Sequence, residues 1–360
     1  MLDHVSTVMN HPIKKTVPPT TTPPVSLEQI LKVVSADIEL LESQILRDVK
    51  TDIPLLNNVA EHILSSGGKR LRPALVLLGA EMFGGVDERV MQAAQVIEYL
   101  HTATLLHDDV VDGAETRRAK QAVCRVWGNE ASVLSGDYLL AMAFHRLTKL
   151  RHLEVLELMS ETTTKMARGE LLQLTRSFET ANEEEYLEII INKTACLFAT
   201  AIKTGALLAG APGESANQLY DYGMALGISF QIVDDALDYA DENKTGKPVG
   251  GDLQERKITL PLSHLLGKAN ATDRKRLDSI LSMEEIEKPQ IDEVINLMRN
   301  YGSINYTLEF SRKYASEAKR SIENFPATNL TQSLADITDF VVSRQDRKST
   351  RLNSSHTSIS

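Results

Sequence analysis

Five long segments constrain the fold of this chain more than any other feature. Residues 88–107, 131–150, 153–176, 183–210 and 215–239 are rich in Ala, Leu, Met and Ile and nearly free of internal Pro. Such stretches are too long for strands and consist largely of strong helix formers. Alternating β-type runs are scarce, so the expected fold class is all-α. Toward the N-terminus, Leu27, Ile30, Leu31, Val34, Ile38, Leu41 and Ile45 continue the helical spacing. Breaks at Gly67-Gly68, Gly84-Gly85, Gly210 to Gly213, Asn243 to Gly251 and Lys288-Pro289 read as ordinary loops, not as interdomain linkers.

A chain of 360 residues, 42 % of them hydrophobic, can bury a sizeable core, and residues 27–347 read as one domain. Residues 1–26 are polar and Pro/Thr-rich, the composition of a disordered tail. Residues 348–360 are polar, unpatterned and similar to translated sequencing-adapter sequence, so a non-native or disordered tail is expected there. A formal net charge of −10 argues against broad nucleic-acid binding. Cys124 and Cys196 are the only cysteines, too few for a disulfide framework or a thiolate zinc site, which fits a reducing, cytoplasmic setting. No apolar run reaches the roughly 20 residues that span a bilayer.

Chemistry concentrates in two acidic motifs. The first ends the apolar helix AAQVIEYLHTATLLHDDVVD, where Asp108 and Asp112 are four residues apart and share a face, with Asp109 between them. Thr104 and His101 lie on the same face, four and seven residues earlier. The second, YGMALGISFQIVDDALDY, repeats the plan with Asp234, Asp235 and Asp238, above Gly223, Gly227, Phe230 and Gln231. Glycine beneath the acids permits close helix approach. One DDxxD alone is more often a solvated helix end than a site. Two, each closing a strongly apolar helix, place like charges at repelling distance and call for a counter-ion. Hard divalent ions such as Mg²⁺ bind through one or two carboxylates plus substrate phosphates, so a metal-bridged diphosphate is the expected ligand.

Cations follow each motif. Lys69 and Arg72 of GGKRLRP are three apart at a helix start, a plausible anion clamp. Arg117 and Arg118 follow the first motif, and Lys247 and Lys257 flank GKPVGGDLQERK after the second. A rival reading makes His107-Asp108 the core of a metal-dependent phosphohydrolase, with His62, His101 and His145 as further ligands. It leaves Asp109, Asp112 and the whole second motif unexplained.

In order, GGKRLRP, HDDVVDGAETRR, the Lys193-Thr194 pair in NKTACLF, FQIVDDALDY and GKPVGGDLQERKITLPL resemble the trans-type polyprenyl diphosphate synthases over about residues 27–347. The resemblance implies an isoprenoid-synthase helical bundle around a central cavity, homodimeric, using Mg²⁺ to join isopentenyl diphosphate to an allylic diphosphate. It implies that Lys69, Arg72, His101 and Arg118 hold isopentenyl diphosphate. Arg117, Lys193, Thr194, Gln231, Lys247 and Lys257 would face the allylic diphosphate. Asp108, Asp112 and Asp234 would ligate the metal, with Asp109, Asp235 and Asp238 as ligands or supports. Departures are Ala119 and Gln121, where a Gly and a small residue are common, and Arg256, which replaces a frequent Gly.

Helix rise is about 1.5 Å per residue, which sets Thr104 and Ala103 roughly 6–7.5 Å below Asp108. Short-chain members tend to place an aromatic floor there. The small pair here, with MARGELLQLT at 166–175, resembles the octaprenyl, solanesyl and decaprenyl synthases and implies a long-chain product serving quinone side chains. A shorter-chain synthase and a non-catalytic subunit of a heteromeric synthase are the alternatives. Peripheral membrane contact through the apolar product is also expected.

Overall fold

The computed structural model describes residues 26–64, 68–117, 120–175, 182–240 and 249–343. The expected tails therefore lie mostly outside the described residues, as do Arg118 and Lys247. The described chain is helical almost throughout. Its longer helices are α1 (Ser35–Asp48), α2 (Pro54–Leu64), α3 (Leu71–Glu81), α4 (Glu88–Val111), α5 (Asn129–Leu150), α6 (Leu153–Thr175), α7 (Glu183–Ile190), α8 (Cys196–Leu208), α9 (Gly213–Asp238), α10 (Leu260–Lys268), α11 (Ala271–Leu281), α12 (Lys288–Asn300), α13 (Ser303–Ser321) and α14 (Asn329–Val342). The one sheet among the described residues is a two-residue antiparallel pair, β1 (Thr116–Arg117) with β2 (Lys120–Gln121).

Local chemistry starts these helices. The Asp87 carboxylate accepts from the Val90 amide at 2.9 Å and caps α4, and Asn182 caps α7 through Glu185 in the same way. The Lys288-Pro289 break is a helix start, because Pro in the first turn removes an amide that has no helical partner. The 27–45 periodicity is real but interrupted: a 3₁₀ turn at Leu31–Val34 separates Leu27–Ile30 from α1.

Helix α4 packs along α5, α3 along α8, and α9 against both α8 and α13. Small residues set these distances. A Cβ on Gly205 would fall 1.8 Å from the Val76 carbonyl oxygen, and one on Gly79 would fall 2.3 Å from that of Ile202. The α3–α8 crossing is thus closed by a glycine from each side. Leu75, Leu77 and Leu78 are fully buried around it, each worth about 1.5–3 kcal/mol relative to exposure. A second apolar cluster, built on Leu253, Leu262, Leu277, Ile280, Val294 and Met298, is separate from the main core and carries the segment after the second acidic motif. No helix among the described residues is long and apolar enough to cross a membrane.

Candidate active site

Asp108 and Asp112 lie at the C-terminal end of α4, where the helix dipole disfavours further negative charge. Burial drives the Asp108 carboxyl up to about 6. The Lys193 ammonium pulls it back, Glu170 and Asp112 push it up, and Arg117 opposes them. The first aspartate face and the helix bearing Lys193 therefore share one electrostatic site. Asp112 is paired with Lys257 Nζ at 2.8 Å. Asp109 points elsewhere: it is buried and grips Arg117 of β1 at 2.7 and 2.5 Å.

The second face closes α9. Asp235 is buried, accepting from the Tyr186 hydroxyl at 2.6 Å and from Gln231 Nε2 at 2.8 Å. Burial still outweighs those bonds and raises its carboxyl to about 7. Gln231 in turn accepts from the Thr194 hydroxyl at 2.9 Å, so Thr194, Gln231, Asp235 and Tyr186 form one hydrogen-bonded chain. Asp238 accepts from the Asp252 amide at 3.0 Å, and burial raises its carboxyl too. Asp252 is pushed well up by burial and then by Asp238 and Asp235. Lys257, whose charge acts on both Asp238 and Asp252, links this face to Asp112.

Lys193 pairs with Glu170 at 2.5 Å and reaches Gln173 Oε1 at 3.4 Å. It lies in a π-helical turn, Ile191–Ala195, that interrupts what the sequence reads as one helix from 183 to 210. Arg72 and His101 also meet, Nη1 to Nε2 at 3.1 Å, with the guanidinium 4.5 Å from the Phe198 ring centre. Lys69 is exposed at the edge, its ammonium 5.0 Å from the Phe340 ring centre on α14. Ala103 is buried and Thr104 half-buried, its hydroxyl bonded to the His101 carbonyl at 2.8 Å.

Several contributors escape sequence reasoning. Glu170 and Asp252 sit inside motifs noticed for other reasons, and Tyr186 carries no local signal. Arg70, between the two expected anion binders, turns inward with φ +44° and is buried against Glu98 and Glu42, the latter at 2.9 Å. Arg256 has φ +58°, which explains why glycine suits that position. Its guanidinium offsets the strain by donating to the carbonyls of Leu281 at 3.2 Å and Met283 at 2.6 Å.

The histidines needed by the phosphohydrolase reading do not gather. His62 contacts the Gln121 carbonyl at 2.8 Å, His101 meets Arg72, and His107 sits against the Val133 carbonyl at 3.2 Å. Among the described residues, no three His, Cys, Asp or Glu side chains form a ready-made metal cage. The donors offered by Asp108, Asp112, Asp234 and Asp238 are all oxygens on crowded acidic faces, which suits a hard cation that completes its shell with water and phosphate.

The sequence model of the Polyprenyl synthetase family matches residues 53–298. Octaprenyl diphosphate synthase of Escherichia coli is 36 % identical over 321 residues, covering 89 % of this chain and 99 % of that protein. Among solved structures, a decaprenyl diphosphate synthase from Rhodobacter capsulatus superposes with a TM-score of 0.85 at 34 % identity, covering 89 % of this chain and 99 % of the other. A polyprenyl synthase from Caulobacter crescentus, complexed with calcium and isoprenyl diphosphate, gives 0.85 at 35 % identity, with coverage of 90 % and 99 %. Likeness over most of the chain, the all-α bundle and the two acidic motifs agree: the chain belongs to the polyprenyl synthetase family and is a prenyltransferase that makes polyprenyl diphosphates.

Proposed function

We propose that this enzyme is Mg²⁺-dependent and condenses an allylic diphosphate with successive isopentenyl diphosphates to a long-chain, all-trans polyprenyl diphosphate, octaprenyl to decaprenyl, destined for a quinone side chain. The observation that carries the reading is Lys257, bonded to Asp112 of the first acidic face while its charge acts on Asp238 of the second, with Lys193 acting on Asp108 beside it.

Breaking the allylic C–O bond sends its electron pair to the departing diphosphate. The alkene of isopentenyl diphosphate then attacks the allylic carbon, and a proton leaves the adjacent carbon to restore a double bond. Asp108, Asp112 and Asp234 would hold Mg²⁺, which would supply charge neutralisation for the leaving diphosphate. The chain supplies the rest. Lys193 and Lys257 present fixed cations where negative charge develops, and the Thr194–Gln231–Asp235 chain fixes donors beside them. Arg72 and His101 form the second anion subsite, completed by Lys69, with Arg118 and Lys247 assigned by motif to the same two subsites. No Ser/His or Cys/His nucleophile is needed, and both cysteines are buried.

The small pair Ala103 and Thr104 on α4 before Asp108, where no aromatic side chain stands, supports a long-chain product. That a Caulobacter relative is complexed with calcium and isoprenyl diphosphate supports the divalent-metal part of the proposal. A homodimer is supported by the apolar exposure of Leu134 at 66 %, Leu171 at 62 % and Leu174 at 58 %, and by a groove of about 780 Å³ along α6 lined by Phe144, Thr163, Leu171 and Leu172. Sedimentation tests that directly. A cytoplasmic location, with membrane contact only through the product, completes the proposal.

The decisive experiment incubates purified protein with Mg²⁺, farnesyl diphosphate and labelled isopentenyl diphosphate and separates the products by chain length. Elongation to eight or more isoprene units is expected; no elongation with any divalent metal would sink the proposal.

A further inference from the structure

We propose that Cys196 is a positioning residue for Lys193 and Thr194, its thiol standing in for a backbone amide at the Asn192 carbonyl and so holding the π turn that aims both side chains. This rests on the functional reading above, in which Lys193 and Thr194 face the allylic diphosphate.

The argument starts from the backbone. In an α-helix the Cys196 amide would donate to the carbonyl four residues back, that of Asn192. Here it reaches five back, to Ile191. The Asn192 carbonyl instead accepts from Cys196 Sγ at 2.8 Å. One turn earlier, Asn192 Nδ2 donates to the Glu188 carbonyl at 2.7 Å. Two side chains thus serve carbonyls at the place where the ladder changes register, which is where single π turns need support. The thiol is suited to this task, since burial pushes it up to about 12 and keeps the donated proton in place.

Packing fixes the turn from both sides. A Cβ on Gly169 of α6 would lie 2.5 Å from the Lys193 amide nitrogen and 2.9 Å from its Cα. A Cβ on Gly227 of α9 would lie 2.6 Å from the Ala195 Cα. The extra residue of the turn is therefore seated between two glycines. Lys193 emerges toward Glu170 and Asp108, and Thr194 toward Gln231. A plain α-helix would rotate both by most of a residue step, about 100°.

The test compares Cys196→Ala, which removes the donor, with Cys196→Ser, which keeps one. The Ala variant is expected to raise KM for the allylic diphosphate about threefold to tenfold, the range of one modest hydrogen bond, with KM for isopentenyl diphosphate within about twofold. It is also expected to speed amide exchange over residues 188–197. The Ser variant should match the parent in both readouts. Equal losses of thermal stability in the two variants, with unchanged KM ratio and unchanged exchange, would overturn the proposal, because a mere core filler behaves that way. If the parent elongates no primer, the functional reading has failed separately. Exchange and calorimetric binding of inorganic pyrophosphate then decide: faster exchange with weaker binding in the Ala variant alone supports the positioning role, and parent-like values overturn it.

Discussion

The Lys257 ammonium lies 2.8 Å from Asp112 Oδ2, joining residues 145 positions apart in sequence and tying the segment after the second acidic motif to the end of the first. Glu255 shares the same ammonium, and these two acids raise its basicity against the effect of burial. Lys257→Ala is expected to lower kcat on the order of a hundredfold, as loss of one fixed donor to a developing anion does elsewhere. Steady-state kinetics check this, and a kcat within twofold of the parent contradicts it.

The pH dependence has a definite sign. Asp108 and Asp235 are held near 6 and near 7, above their ordinary value of 3.8, chiefly by burial. A carboxyl raised in the folded state favours folding while protonated; that stability is complete below the unfolded value and is lost as pH rises through the folded one. Metal-free protein should therefore lose thermal stability between about pH 4 and pH 7. Ionised carboxylates are what Mg²⁺ and pyrophosphate require, so the stabilisation these ligands confer should grow over the same interval. Melting curves with chelator, and with Mg²⁺ plus pyrophosphate, measure both trends; parallel curves at pH 5 and pH 8 would contradict the assignment.

Arg70 makes a structural prediction. It is buried between Glu98, itself buried, and Glu42. Arg70→Met strands the Glu98 charge and should cost about 3–5 kcal/mol in urea unfolding, whereas adding Glu98→Leu should recover much of that loss. Product length in the surviving folded fraction is expected to be unchanged.

Ala103 is buried on α4, five residues before Asp108. Ala103→Phe introduces a ring into that space and is expected to shift products by several isoprene units toward shorter chains. Radiolabelled product chromatography reads the shift, and unchanged chain length would refute the assignment of this wall to the growing chain.

What was legible in the sequence follows the range of the interactions. Asp108 and Asp112 were visible because four-residue spacing fixes a shared helical face. The 88–107 segment foretold α4 because its apolar residues are buried nearly all round. The π turn at Lys193 was invisible, since inserting one residue into a uniformly apolar stretch leaves no break in pattern. Arg70 was misleading in context: GGKRLRP reads as a run of cations, and only a left-handed backbone at the middle one turns it into the core. The Lys193–Glu170 and Lys257–Asp112 pairs depend on tertiary approach, and no local period encodes them.

The separate apolar cluster around Leu262, Ile280 and Val294 has a consequence for local opening. Asp252 and Lys257 flank a segment whose Leu253 packs in this second apolar cluster and not in the main core. Segments packed apart from the main core open at a fraction of the global unfolding free energy. The segment that carries Asp252 and Lys257 is therefore expected to open more readily than the helix carrying Asp108. Hydrogen exchange should resolve two populations, a faster one over 251–300 and a slower one over α4 and α8.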